Sequence, residues 1–293
     1  MKRSKRSKRS RFKKRKFSTR KQQQLPPELW SRINKFEPTR FMPILSRSIY
    51  KALPSIQKTK EFYKRSLNIR ARSNIELEET ITRYPNLQRL NCSESRITEL
   101  PPNLNKLQKL VCNETPITEL PHNLNNLQKL VCAWTRITEL PQNLNNLQEL
   151  NCSWTRITKL PQNLNNLQEL YCTGTPITEL PQNLNKLQTL DCRGTPITEL
   201  TQYLNNLRIL YCSQTQITEL PPKLNNLQEL NCYGTQITEL PPNLNNLQEL
   251  YCSGTPITEL PPNLNKLEIL HCSRTLIIPE YIRRNPNIKI DIQ

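Results

Sequence analysis

The sequence predicts an α+β repeat solenoid: a parallel sheet built from twenty-residue units, preceded by a small helical segment. Three observations carry this. All ten cysteines fall on a strict twenty-residue comb, Cys92, Cys112, Cys132 and so on to Cys272. Each unit reads LxxLxCxxTxIxxLPxxLxx, as in Leu147–Asn166, LQELNCSWTRITKLPQNLNN. Proline recurs after the fourteenth position, as at Pro161 and Pro181. A fixed period of this length marks an array whose units bury a core only by stacking.

Each part of a unit follows from its residues. Leucine and cysteine at alternate positions (Leu150, Cys152) give the period-two signal of a short strand with one buried face. Proline cannot continue a ladder or sustain a helix, so the LPxxL stretch is an extended return. Stacked units then place parallel strands about 4.8 Å apart. One unit alone buries too little to offset the entropy of ordering twenty residues, so neighbours are obligatory. The tenth unit loses its last leucines and trails into NPNIKIDIQ, which reads as a final edge strand. At the other end, ITRYPN reads as a degenerate half-unit leading into Leu87.

The pattern from Leu87 to about Ile278 resembles the leucine-rich repeat family in its short form, which implies a parallel-β horseshoe. Two departures stand out. Cysteine takes a position the family usually gives to leucine. Threonine (Thr115, Thr135, Thr155; Ser95 in the first unit) stands where the family has an asparagine bonding backbone at the turn between units. A hydroxyl can supply part of that bonding, so a threonine ladder is expected in its place.

The cysteines admit two other readings, disulfides and metal. A row of thiols does not converge tetrahedrally on zinc, and parallel side chains leave poor disulfide geometry. Buried free thiols filling small core slots are expected, with no metal and no cofactor. With no apolar run near 18 residues and no signal-peptide pattern, an intracellular, reducing location is expected, in cytoplasm or nucleus, without membrane association.

Charge is unevenly spread. Residues 1–24 carry 13 Lys/Arg and no acid; residues 25–86 carry 12 basic and 6 acidic; residues 87–293 carry 17 and 18. The formal net charge of +18 therefore belongs to the front of the chain. Such a like-charged run is expected to be a disordered tail. It reads as an import signal, a phosphate-binding arm for nucleic acid, or a solvated tail with no dedicated partner.

After the tail, Pro26 and Pro27 suit a helix start, and Leu29, Trp30, Ile33 and Phe36 share one helical stripe. Phe41, Leu45, Ile49 and Ala52 form a second stripe before Pro54, and a basic helical stretch is expected from about Ser55 to Arg72. Leu25-Pro26, Glu28-Leu29, Ile33, Phe36 and Leu45-Ser46-Arg47 resemble an F-box, with Arg40 and Pro43 as departures. That resemblance implies docking to a Skp-type adaptor of a cullin ubiquitin ligase through Leu25, Pro26, Leu29, Ile33 and Leu45. The other reading is a helical cap over the first repeat's open edge. The combination resembles F-box/leucine-rich-repeat proteins of large DNA viruses of protists, which implies a host-directed adaptor. The expected organisation is a tail at 1–24, an F-box-like segment at 25–72, a helical cap or linker at 73–86, repeats at 87–278 and a C-terminal cap at 279–293.

Comparing the units with one another locates the variable surface. Core positions hardly change, whereas positions five, seven, eight and ten do. Strand alternation puts five and seven opposite the buried leucine and cysteine, on the concave face. Trp134, Trp154, Tyr171, Tyr211, Tyr233 and Tyr251, with Arg136 and Arg156 beside the tryptophans, are the residue types that anchor interfaces. They are expected to hold a target protein there. All four glycines sit at position eight, either giving room beside the tyrosines or permitting a bend. Catalysis is not expected: no glycine-rich phosphate loop occurs, His122 and His271 lie many units apart, and the recurrent glutamates (Glu99, Glu119, Glu139) read as a solvated stripe. Three functions remain open: a ubiquitin-ligase substrate receptor, a binding or effector module with no ubiquitin link, and a nucleic-acid binder led by the tail, which the near-neutral solenoid disfavours.

Overall fold

The computed structural model describes residues 66–68, 74–84 and 86–293. The basic tail and the F-box-like residues Leu25, Pro26, Leu29, Ile33 and Leu45 lie outside them. Twelve parallel strands form one sheet in strict sequence order, β1 to β12. β1 is Ser66–Asn68, followed by helix α1, Asn74–Arg83. Then come β2 (Arg89–Asn91), β3 (Lys109–Val111), β4 (Lys129–Val131), β5 (Glu149–Asn151), β6 (Glu169–Tyr171) and β7 (Thr189–Asp191). β8 (Ile209–Tyr211), β9 (Glu229–Asn231), β10 (Glu249–Tyr251) and β11 (Ile269–Cys272) complete the repeats. A short helix α2 (Glu280–Arg283) leads to β12 (Lys289–Ile292), the strand supplied by NPNIKIDIQ. This is the parallel, twenty-residue-repeat architecture read from the comb. The helix expected over Ser55–Arg72 gives way at β1, which pairs in register with β2.

Strands β2 to β10 each occupy positions three to five of a unit, so they superpose at intervals of twenty residues: Leu130 pairs Leu150, and Leu150 pairs Leu170. Leu147, Leu150, Cys152, Ile157, Leu160 and Leu164 of one unit are all buried, and their equivalents extend a single continuous core. At the front, Leu77 and Ile81 of α1 join that core. The Asn74 side chain accepts the Thr98 N–H at 3.1 Å and donates to Thr98 Oγ1 at 2.7 Å, tying α1 to the first unit.

The units are joined mainly by backbone. The Cys152 N–H donates to the Tyr171 carbonyl at 2.9 Å, and Trp154 N–H to Thr173 O at 2.8 Å, each one unit ahead. On the other side of the strand, Gln148 and Glu149 N–H both donate to Gln128 O, one unit behind. The threonine ladder is a correction. Thr155 Oγ1 donates at 2.7 Å to Cys152 O, three residues back in its own unit, and Ser95 does the same to Cys92 O. These hydroxyls bond the carbonyl just beyond the strand's end, within their own unit, and bridge nothing between units. The ladder between units is made by asparagine at position twenty. Asn146, Asn166, Asn226 and Asn246 Nδ2 each donate to the carbonyl twenty-one residues earlier, at 2.8–2.9 Å.

A single turn residue shapes each corner. Position eight has φ between 55° and 69° in all nine full units, in the left-handed region. Four of them use glycine, while Glu94, Glu114, Trp134, Trp154 and Gln214 take the same conformation with a side chain. For an L-residue that costs about 1–2 kcal/mol. The glycines are therefore explained by the bend, and only Gly174 also makes room. A Cβ there would stand 2.6 Å from Cε3 of Trp154, whereas a Cβ at Gly194 would meet nothing within 4 Å.

The tenth unit slips by one residue. Ile277, aligned with the buried isoleucines, is 64% exposed, and Leu276 and Ile278 are buried beside it. Correspondingly, Arg274 lacks the left-handed turn, and Gly254 N–H finds Ser273 Oγ in place of a backbone carbonyl.

All ten cysteines are free and buried. Burial pushes Cys152, Cys192 and Cys232 up to about 12 from an ordinary 9.0. These thiols ionise more readily in the unfolded chain, so their stabilisation is whole below about pH 8 and declines as pH rises from about 9 towards 12. Each removes up to about 1.4 kcal/mol per pH unit in that window. Thermal melts in reducing buffer should give a constant midpoint from about pH 6 to 8 and a steep fall above 9; a midpoint flat to pH 11 would contradict it. The turn yields a second test. Gly174→Ala should cost more stability than Gly194→Ala by about 1 kcal/mol. Trp154→Ala should remove that excess, as read by a double-mutant cycle in denaturant.

Candidate functional site on the concave sheet face

Strand alternation leaves positions three and five on the face opposite the core. In β5, Glu149 and Asn151 are half-buried around buried Leu150, and the same pattern holds in β6 and β8 to β10. Position five brings Tyr171, Tyr211 and Tyr251 onto this face, on β6, β8 and β10. Position three adds Arg89, Lys109 and Lys129, then Glu149 and Glu169, and farther on Glu229 and Glu249. The sequence reading missed position three as a surface position. The same period-two count that exposes Asn151 also exposes Glu149.

The phenols are held by those glutamates. Tyr171 donates to Glu169 Oε2 at 3.1 Å, Tyr211 to Glu229 Oε1 at 2.7 Å and Tyr251 to Glu249 Oε2 at 2.8 Å. Partial burial, then the Glu169 hydrogen bond and nearby negative charge push Tyr171 up to about 12. For Tyr251 the Glu249 hydrogen bond leads, followed by burial, again to about 12. Tyr211 is pushed higher, by burial first and then by Glu229. Tyr251 also stacks on His271 with centroids 4.8 Å apart, and His271 Nδ1 lies 3.0 Å from Asp291 Oδ2.

Between Tyr171 and Tyr211, Asp191 is buried and fully engaged. It accepts from Thr173 Oγ1 at 2.8 Å and from Arg193 Nε and Nη2 at 2.9 and 2.7 Å. The Arg193 guanidinium in turn lies 5.2 Å from the Tyr211 ring centroid. Lys129 and Glu149 form an ion pair where the basic strands meet the acidic ones, beside a shallow groove of about 370 Å³ reaching from Arg89 to Glu169.

The other expected site residues lie elsewhere. Trp134 and Trp154 sit at position eight, three residues beyond the ends of β4 and β5, on the rim and off the strands. Their rings stack with centroids 5.0 Å apart and 18° between planes, and they are 58% and 49% exposed. Arg136 and Arg156 follow on the same turns, exposed, with N–H groups donating to Ile117 O and Ile137 O at 3.1 Å. Tyr233, at position seven, is exposed on the rim, but Ala133, Ser153, Ser213 and Ser253 at that position are buried. Position seven is thus mixed, buried in those four units and exposed at Arg193 and Tyr233, a correction to the uniformly open face expected of it. The residues called one concave surface therefore fall into two groups, a tyrosine–glutamate strip on the sheet and a tryptophan pair on its rim.

Chemically this arrangement suits binding. The buried thiols are pushed away from thiolate, and the phenols are held protonated by glutamates. Among the described residues, no group of three or more His, Cys, Asp or Glu is placed to hold a metal ion, and no helix is long and apolar enough to cross a membrane.

Comparisons with known proteins agree with the geometry. Residues 205–246 match the family model described as leucine rich repeats in two copies, and residues 246–267 match the single leucine rich repeat. No curated protein matches the chain. Among solved structures, the functional domain of InlJ from Listeria monocytogenes, described as including a cysteine ladder, is similar with a TM-score of 0.59 and 30% identity. That match covers 71% of this chain and 54% of the other, so the chain spans about half of that relative. YopM from Yersinia enterocolitica gives 0.56 and 27% identity over 71% of this chain and 47% of its own. The internalin InlF of Listeria monocytogenes, at 0.58 and 22% identity over 72% and 75%, shares the fold. With twelve strands in sequential register and repeat models matching within it, the described array is a leucine-rich-repeat solenoid.

Proposed function

We propose that this protein is a binding scaffold that holds a target protein on the concave sheet face. The observation that carries the reading is the strip of Tyr171, Tyr211 and Tyr251, each phenol fixed by a glutamate before any partner arrives. Rigid aromatic groups offer contact area at low entropic cost, which is what hot-spot residues supply. The stacked Trp134–Trp154 pair, with Arg136 and Arg156, extends the contact to the rim. Enzymatic activity is not part of the reading.

In its finer form the scaffold is the substrate receptor of a cullin-type ubiquitin ligase. The support is the F-box-like run from Leu25 to Arg47 in front of the array, with Leu25, Pro26, Leu29, Ile33 and Leu45 as adaptor contacts. The alternative is a binding or effector module in which that segment only caps the solenoid. The basic tail adds an import receptor or nucleic acid as a further partner, and an intracellular site of action, of a host cell if the chain is viral.

Two experiments test these readings. A target captured by the full chain should be lost by at least about tenfold on Tyr211→Ala with Tyr251→Ala, measured by quantitative pull-down; unchanged capture removes the concave-face assignment. A Skp-type adaptor should co-purify with the full chain and be lost on Leu25→Asp with Pro26→Ala. A clean pull-down without adaptor leaves only the capped binding module.

A further inference from the structure

The charges on the concave face are sorted, and sorting is costly. Adjacent strands place Arg89 beside Lys109 and Lys109 beside Lys129. Farther along, Glu149 pairs in register with Glu169, and Glu229 with Glu249. Like charges directly opposite one another destabilise a sheet, whereas alternating signs would stabilise it. Along position three, among the described residues, the compensated junction is Lys129 with Glu149. Among the described residues, no cation lies within ion-pair distance of Glu169, Glu229 or Glu249. Each accepts one phenol hydrogen bond, and a carboxylate has room for about three more.

One cation on this face shows how the vacant places would be filled. Arg193 donates two hydrogen bonds to Asp191 while its guanidinium stacks over the Tyr211 ring. Carboxylate and aromatic face together hold a guanidinium through charge-assisted bonding and cation–π attraction. Glu169 with Tyr171, and Glu249 with Tyr251, also bring a carboxylate and an aromatic ring together without a guanidinium, with one face of Tyr251 stacked on His271.

From these observations, and resting on the scaffold reading above, we infer that the concave face from β6 to β10 takes an extended protein segment rich in arginine or lysine. β6 and β10 are four strand spacings apart, about 19 Å, which six residues of extended chain span at about 3.3 Å each. Basic side chains at residues i and i+6 of the segment then fall over the Tyr171–Glu169 and Tyr251–Glu249 pairs. Arg193 already occupies the middle. Burial leads the upward shift of Tyr171 and the Glu249 hydrogen bond that of Tyr251, with nearby glutamates adding to both. The basic strands β2 to β4 repel such a segment and confine it to the acidic part of the array.

The test uses the full chain and a fluorescent nine-residue Gly/Ser peptide with arginines six residues apart, read by anisotropy. The control peptide carries citrulline, uncharged, at both positions. The arginine peptide should bind at least about tenfold more tightly than the control and weaken as salt rises. Glu169→Gln with Glu249→Gln should reduce binding at least about fivefold. Glu219→Gln with Glu239→Gln, on the return loops, should change it less than about twofold. Equal binding of both peptides, no binding, or equal losses in the two double variants overturns the inference. The scaffold reading is separable. A target that needs Tyr211 and Tyr251 but contacts the face through a neutral or acidic segment overturns only this inference. Capture that ignores those tyrosines overturns the scaffold reading itself.

Discussion

Backbone pairing between consecutive units is the constraint on which the other features rest. Position-two carbonyls receive two N–H groups from the unit ahead, and the cysteine and position-eight N–H groups reach forward to the next unit. These bonds exist only while every unit is twenty residues long and in phase, because an unpaired buried amide is expensive. The cysteine comb records that requirement. Position six lies just past the strand's end, where a small apolar side chain is fully buried. The tenth unit shows what happens when the phase slips. Its isoleucine turns outward, the left-handed turn is lost, and the array closes with α2 and β12.

The same constraint governs what the rim can display. Holding position eight at positive φ points its N–H at the next unit, so the conformation is kept even where the residue is bulky. Two tryptophans in such turns are strained, and their mutual stacking with space left over Gly174 offsets part of that cost. Strain is retained in five of the nine full units and relieved by glycine in the other four.

On the sheet face, geometry converts a stripe of variable residues into an organised surface. A tyrosine alone on a strand is an exposed ring. Beside a glutamate two residues away or on the next strand, it becomes a fixed ring with an anchored hydroxyl. The face also has direction, basic at β2 to β4 and acidic beyond. That polarity is a property of the array and is invisible in the near-neutral total for residues 87–293.

Periodicity alone determined the solenoid, the strand positions, the buried thiols and the closing edge strand, because stacking in register admits one outcome for a twenty-residue comb. Tyr171, Tyr211 and Tyr251 were legible as face residues for the same reason, since alternation about a buried leucine is local. Tertiary structure decided what depends on neighbours twenty residues away. Thr155 and its equivalents turned inward to their own unit's carbonyl, and asparagine at position twenty became the ladder, because hydroxyl reach ends within the turn. Trp134 and Trp154 left the sheet for the rim because a left-handed residue ends the strand's alternation, a backbone angle that spacing does not encode.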